Sequence, residues 1–232
     1  MFGMYFDPYY WVLIIPSMLI ALWAQTMVST TFNKYSRVMS TRGLTAAQVC
    51  RRILDDNGLN HVRIERIAGS LTDHFDPRAN VVRLSDSVYN STSVASIGVA
   101  AHETGHAIQH AVGYFPIKLR SAIIPVTNLG SKLSVPLILL GFVFQWQPVV
   151  EIGIWLFATV ALFQLVTLPV EFNASSRALH TLEADAILEG AEVKQARKVL
   201  SAAAMTYVAA LITAVAQLLR LILLYGNRRR DD

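Results

Sequence analysis

Four stretches of this chain are apolar for long enough to cross a bilayer, and that pattern restricts its fold more than any other feature. Crossing ~30 Å of hydrocarbon takes about 20 residues at 1.5 Å per residue. Tyr9 to Val28 supplies one such stretch without a charge. Leu133 to Phe144, extended upstream by Ala122 to Leu129, supplies a second, Val149 to Val170 a third and Val199 to Tyr225 a fourth. With no water to satisfy backbone polar groups in hydrocarbon, each span must be a helix. Composition agrees: hydrophobic residues make up 53% and the mean hydropathy is +0.42, above the soluble norm. The first run has no basic residue before it and no clear small-residue cleavage site after it, so it reads as a retained anchor rather than a removed leader.

A formal charge of +4 and a pI near 9.3 would in a soluble protein hint at nucleic acid. Here the Lys and Arg residues sit between apolar runs, so they report membrane topology and no nucleic-acid partner is expected. Segments 29–120 and 171–198 hold 15 of the 20 Lys and Arg. The positive-inside rule therefore puts both on the cytoplasmic side of a multi-pass cell-membrane protein. Arg228, Arg229 and Arg230 count against that orientation, because four spans would leave the tail on the other side. The expected plan is an N-terminal anchor at 1–28, a folded polar domain at 29–121, two spans at 122–170, a helical return to the polar domain at 171–198, and a last span with a basic tail at 199–232.

Between the first and second spans the chain has the signals of a folded domain. Thr45 caps an amphipathic helix running to about Asn57, with Ala46, Val49, Ile53 and Leu54 on one face and Gly58 ending it. Cys50, the only cysteine, lies in this helix and reads as packing; no disulfide or cysteine metal site is possible within the chain. Two β-type runs follow, His61 to Ile67 and Asn80 to Leu84, with Asp76-Pro77 between them. Asn80 to Leu84 is either a plain hairpin strand or an exposed edge on which an extended substrate could add itself. Ser91, Thr92 or Ser93 then caps a helix through Ala111.

That helix carries His102-Glu103-Thr104-Gly105-His106. Residues four apart lie one turn apart on one helix face, about 6 Å along the axis, so two imidazoles can meet one metal ion. Glu103 is turned about 100° away yet can lean over the open coordination position as general base for the attacking water. Composition alone yields such a motif roughly 0.005 times in a chain like this, and an uncharged Ala-rich helix would otherwise bury two histidines and a carboxylate at considerable cost. His110 stands about 12 Å along the axis from His102, too far for the same ion, and reads as supporting or structural. The residue types point to one zinc ion with three protein ligands and one open position. The third ligand is sought among Glu171, His180, Glu183, Asp185, His74 and His61. Glu171 is favoured because a carboxylate where the third span emerges is costly without a partner; its bland alternative is an ion pair with Arg177.

AAHETGHAIQH at 100–110, DHFDPR at 73–78 and EFNASSRAL at 171–179 together resemble the YugP-type bacterial membrane zinc metallopeptidases over nearly the whole chain. More distantly the chain is similar to the HtpX/Ste24-type peptidases, whose third ligand is a glutamate on a helix beyond the zinc motif, commonly followed four residues later by aspartate. Glu171 matches the glutamate; position 175 is Ser, so that second carboxylate is not carried over. The resemblance implies a mainly α (α+β) membrane protein of about four transmembrane helices with a gluzincin-like zincin domain and a small β-sheet. It also implies hydrolysis of peptide bonds at or near the membrane surface.

The expected activity is thus a membrane-embedded, zinc-dependent endopeptidase: His102, His106 and Glu171 hold the metal, Glu103 is the base, and peptides or membrane proteins are the substrates. His74, Arg177 and His180 are candidates for stabilising the developing oxyanion. Arg220, near the C-terminal end of the last span, reads as a charge snorkelling to the interface rather than as a functional intramembrane charge. Two rivals are a non-proteolytic zinc-stabilised membrane scaffold, against which Glu103 argues, and a metal transporter, against which the polar location of the histidines argues.

Overall fold

Each apolar stretch is part of a longer helix in the computed structural model, which describes residues 7–231; the side chains of the tail, Arg228 to Arg230 among them, lie outside the described ones. A π-helical turn, Tyr10–Ile14, leads into α1 (Ile15–Tyr35). Then come α2 (Ala46–Asp56), β1 (Arg63–Ile67), β2 (His74–Asp76), β3 (Val81–Ser85) and α3 (Val94–Ala111). Three long helices complete the chain: α4 (Phe115–Val143), α5 (Gln147–Ala184) and α6 (Ala191–Asp231). The protein is mainly α with a small sheet, and the four long helices are each long and apolar enough to cross a membrane.

The chain divides into two compact units. One comprises the chain up to Gln25, Lys118–Leu168 and Thr206 onward. Its outward surface is largely apolar, with Trp11, Val12, Trp155 and Leu219 all exposed, which suits contact with lipid. Within it α4 and α5 pack as an antiparallel hairpin at the distance small residues allow. A Cβ on Gly153 would come within 2.9 Å of the Ser134 carbonyl, and one on Gly130 would collide with the Leu156 carbonyl.

Arg220 does not snorkel. Its guanidinium is buried and donates to Asp7 Oδ2 from Nη2 at 2.6 Å and from Nε at 3.0 Å, and it stands over the Tyr10 ring. A two-pronged pair with a carboxylate removes the need to reach water.

The other unit comprises Thr26–Ile117 and Pro169–Met205. Its core joins Val49, Ile53 and Leu54 of α2 with Val82 and Leu84 of β3, Ile97 of α3, and Leu182 and Leu188 at and just beyond the end of α5. Thr45 and Gln48 form a reciprocal capping box on α2, which satisfies two backbone donors at that end. Cys50 is fully buried here, and burial pushes its thiol well above the ordinary range; it is packing, as its helix position suggests.

The sheet has the order β1-β3-β2, with β1 parallel and β2 antiparallel to β3. This corrects the edge-strand expectation for Asn80 to Leu84: β3 is the central strand, paired on both sides, and cannot receive an added strand. Val81, Val82, Leu84 and Ser85 are buried, which a strand covered on both faces requires. Its remaining residue, Arg83, sits opposite Glu65 on β1 and His74 on β2 and forms ion pairs with Glu65 at 3.3 Å and Asp76 at 2.8 Å. The DHFDPR block is thus hairpin chemistry. Asp73 accepts from the backbone N–H of Ser85 at 2.7 Å and its hydroxyl at 3.0 Å. Asp76 Oδ1 accepts from the amides of Arg78 and Ala79 in the turn.

Candidate metal centre

Ser93 begins α3: its Oγ accepts from the Ser96 amide at 3.2 Å, a cap that fixes where the helix starts and so which face His102 and His106 share. Both rings turn to the same side as Glu171 of α5. The Nε2 atoms of His102 and His106 are 3.2 Å apart, and Glu171 Oε2 lies 3.3 Å from the first and 3.5 Å from the second. Glu171 is 2% exposed, so this carboxylate is taken out of water to face two imidazoles.

The triangle has the size that a tetrahedral zinc ion requires. Ligands at ~2.0–2.1 Å from such an ion lie about 3.3–3.4 Å from one another. The donor set of two imidazoles and one carboxylate is also a catalytic zinc set, leaving one position open. The three residues fit the metal.

Close approach of the two helices makes the triangle possible. A Cβ on Gly105 would come within 2.8 Å of the Ala174 carbonyl, so α3 rests on α5 with no side chain between them there. On α5, Pro169 has no N–H to give the Leu165 carbonyl, which loosens the helix at a point two residues before Glu171.

Both histidines are held from behind. His106 Nδ1 lies 3.0 Å from Gln109 Oε1. The orientation of that amide is fixed by its other end, since Gln109 Nε2 is 2.8 Å from the Val170 carbonyl, a group that only accepts. Oε1 therefore faces the ring, Nδ1 carries the proton, and Nε2 presents a lone pair to the site. Gln109 Nε2 also donates to Asn173 Oδ1 at 2.9 Å, which accepts from Arg177 Nε at 2.8 Å. His102 Nδ1 meets Ser175 Oγ at 3.1 Å. The missing aspartate at position 175 thus has a hydroxyl in its stead.

Glu103, the neighbour of His102 on α3, is 9% exposed. Burial opposes a charge on His106, but the Glu171 carboxylate and Glu103 outweigh it and raise the His106 pKa. The pocket favours positive charge.

The other residues singled out from the sequence lie elsewhere in hydrogen-bonding terms. His74 Nδ1 faces the Thr72 carbonyl at 2.9 Å. Among the described residues His180 has no hydrogen bond or ion pair, and it is exposed on α5. Arg177 bonds to Asn173 and reaches His106 only through Gln109; no ion pair joins it to Glu171 among the described residues. His110 packs against Phe75, ring centroids 6.0 Å apart. Sequence reasoning missed Gln109 and Asn173. The signal was present for Gln109: it lies three residues past His106, on the same helix face, as a polar residue in an apolar helix.

The pattern of a family described as "Putative neutral zinc metallopeptidase" matches residues 10–226. A protein of Bacillus subtilis (strain 168) described as "Putative membrane protease YugP" is 45% identical over 213 residues, covering 92% of this chain and 95% of that one. No solved structure matches the chain.

Proposed function

Since the chain belongs to this neutral zinc metallopeptidase family, we propose that it is a membrane-embedded endopeptidase in which His102, His106 and Glu171 hold one zinc ion and Glu103 is the general base. The observation that carries this reading is the triangle of Nε2, Nε2 and Oε2 atoms at 3.2, 3.3 and 3.5 Å. When bound, zinc acts as a Lewis acid that makes water more acidic and polarises a peptide carbonyl.

The protein's own groups supply the rest. Gln109 keeps the His106 proton on Nδ1, and Ser175 braces His102 at the same atom. Glu103 takes the proton of the attacking water on a carboxylate oxygen as the oxygen bonds to the carbonyl carbon. The same carboxyl then returns that proton to the amide nitrogen as the C–N bond breaks, so the amine leaves neutral and Glu103 is regenerated. Among His74, Arg177 and His180 as sources of a further donor to the oxyanion, Arg177 is favoured, because Asn173 and Gln109 link it to His106. The substrates proposed are peptides or membrane proteins at the bilayer surface. The charged segments 29–120 and 171–198, with 15 of the 20 Lys and Arg, favour a cytoplasmic site.

The test compares the wild type with Glu103→Gln, both purified in detergent. Bound metal is measured by mass spectrometry and cleavage of casein is followed with and without a chelator. Both proteins are expected to carry about one zinc, with cleavage by the wild type alone and none after chelation. Equal cleavage by the two proteins would remove Glu103 from the mechanism. Zinc-loaded wild type that cuts neither casein nor other unfolded proteins would favour the scaffold reading.

A further inference from the structure

Lys132 lies near the middle of α4, in a helix long and apolar enough to span the membrane. It is exposed, and among the described residues it forms no hydrogen bond or ion pair. Gly130 and Ser134 point at α5, and Lys132 is two residues from each, about 200° round the helix. The lysine therefore faces away from its own bundle, towards lipid.

Its depth excludes a bland explanation. Arg120 lies twelve residues before it and Phe144, in the turn to α5, twelve after, about 18 Å on either side. That places Lys132 near the midplane of a ~30 Å hydrocarbon layer. A lysine side chain snorkels about 6 Å, less than half of what either surface demands.

The same face carries more unmet polarity. Asn128 is exposed one turn away, and no hydrogen bond is formed by its side chain among the described residues. Pro136 has no N–H to offer the Lys132 carbonyl. An ammonium, an amide and a carbonyl thus meet at mid-bilayer, where hydrocarbon offers them nothing. Among the described residues the unit's own carboxylates are engaged: Asp7 with Arg220, and Glu151 with the Tyr225 hydroxyl. The same unit of a second copy would bring another Lys132 and, among its described residues, no spare carboxylate, and phosphate headgroups sit about 15 Å away at the interface.

We propose that the face of α4 centred on Asn128 and Lys132 docks a transmembrane helix of another protein that carries a carboxylate at mid-bilayer. The carboxylate pairs with the Lys132 ammonium, and the Asn128 amide adds a hydrogen bond that fixes the register. The docking is independent of the zinc chemistry, so this reading and the peptidase reading stand or fall separately.

The full chain, labelled with a fluorophore in phosphatidylcholine vesicles, is titrated with synthetic Leu/Ala transmembrane peptides bearing a single central Glu, Gln or Lys, and energy transfer reports association. The Glu peptide is expected to bind at least about tenfold tighter than the Gln peptide, with the margin lost in Lys132→Leu and kept in Lys132→Arg. Circular dichroism and zinc content check that the variants fold; Lys132→Met serves if the leucine variant does not. No Glu preference in the wild type, or one that survives in Lys132→Leu, overturns the proposal. So does Lys132-dependent self-association without peptide preference, which assigns the face to a second copy. Displacement of the Glu peptide by added phosphatidylglycerol assigns it to lipid instead.

Discussion

The side-chain amide of Gln109 donates to the carbonyl of Val170 at 2.8 Å, tying α3 to α5 one residue before Glu171. The other end of the amide faces His106 Nδ1. One buried side chain therefore sets both the tautomer of one proposed ligand and the position of another. The carboxylate and imidazoles are thus gathered by contacts of the protein alone.

Gln109→Leu keeps the volume and removes all three bonds, to His106, Val170 and Asn173. Zinc affinity is expected to fall about 10–100-fold, read by competition with a chromophoric chelator, while helical content by circular dichroism stays unchanged. A fall of less than about threefold would show that packing alone holds the site.

Gly105→Ala tests the close approach of α3 to α5. The added methyl meets the Ala174 carbonyl at 2.8 Å, a backbone atom that cannot swing aside. Separation of the helices is expected to cost about 1–3 kcal/mol and to widen the triangle, weakening zinc binding as well. Thermal melts with and without zinc give both quantities. An alanine variant that melts and binds like the wild type contradicts the contact.

Acid stability of the sheet depends on Asp76. Its hydrogen bond to the Arg83 guanidinium, with those from the Ala79 and Arg78 amides, holds the carboxyl down at about 2, below an ordinary 3.8. A depressed folded-state pKa stabilises above the unfolded value and is lost as pH falls through the folded one. Asp76→Asn should therefore lower Tm at pH 5 and above, and the two melting curves should converge between about pH 4 and 2. A gap that stays constant across that window would show that the turn amides, which asparagine can still accept from, were not supplemented by charge.

The spacing of His102, Glu103 and His106 was legible because a helical period is local, and Glu171 because a carboxylate at the end of an apolar run is anomalous wherever the chain goes next. Partners far off in sequence were not. Arg220 reads as snorkelling until Asp7, 213 residues away, is seen beside it. His74 to Asp76 is too short to register as a strand, yet it is the strand that makes β3 central. The consecutive Val81 and Val82 were the available hint that both faces of β3 are covered. Position 175 reads as a lost aspartate; only the geometry shows a hydroxyl at His102 Nδ1.

Pro169 lies inside α5, which runs from Gln147 to Ala184, and removes one helical hydrogen bond two residues before Glu171. Glu171 therefore sits on a stretch of helix that has given up some of its own stiffness, and its place opposite the two imidazoles is kept by what α3 lends it: the Gln109 amide on the Val170 carbonyl and Gly105 against Ala174.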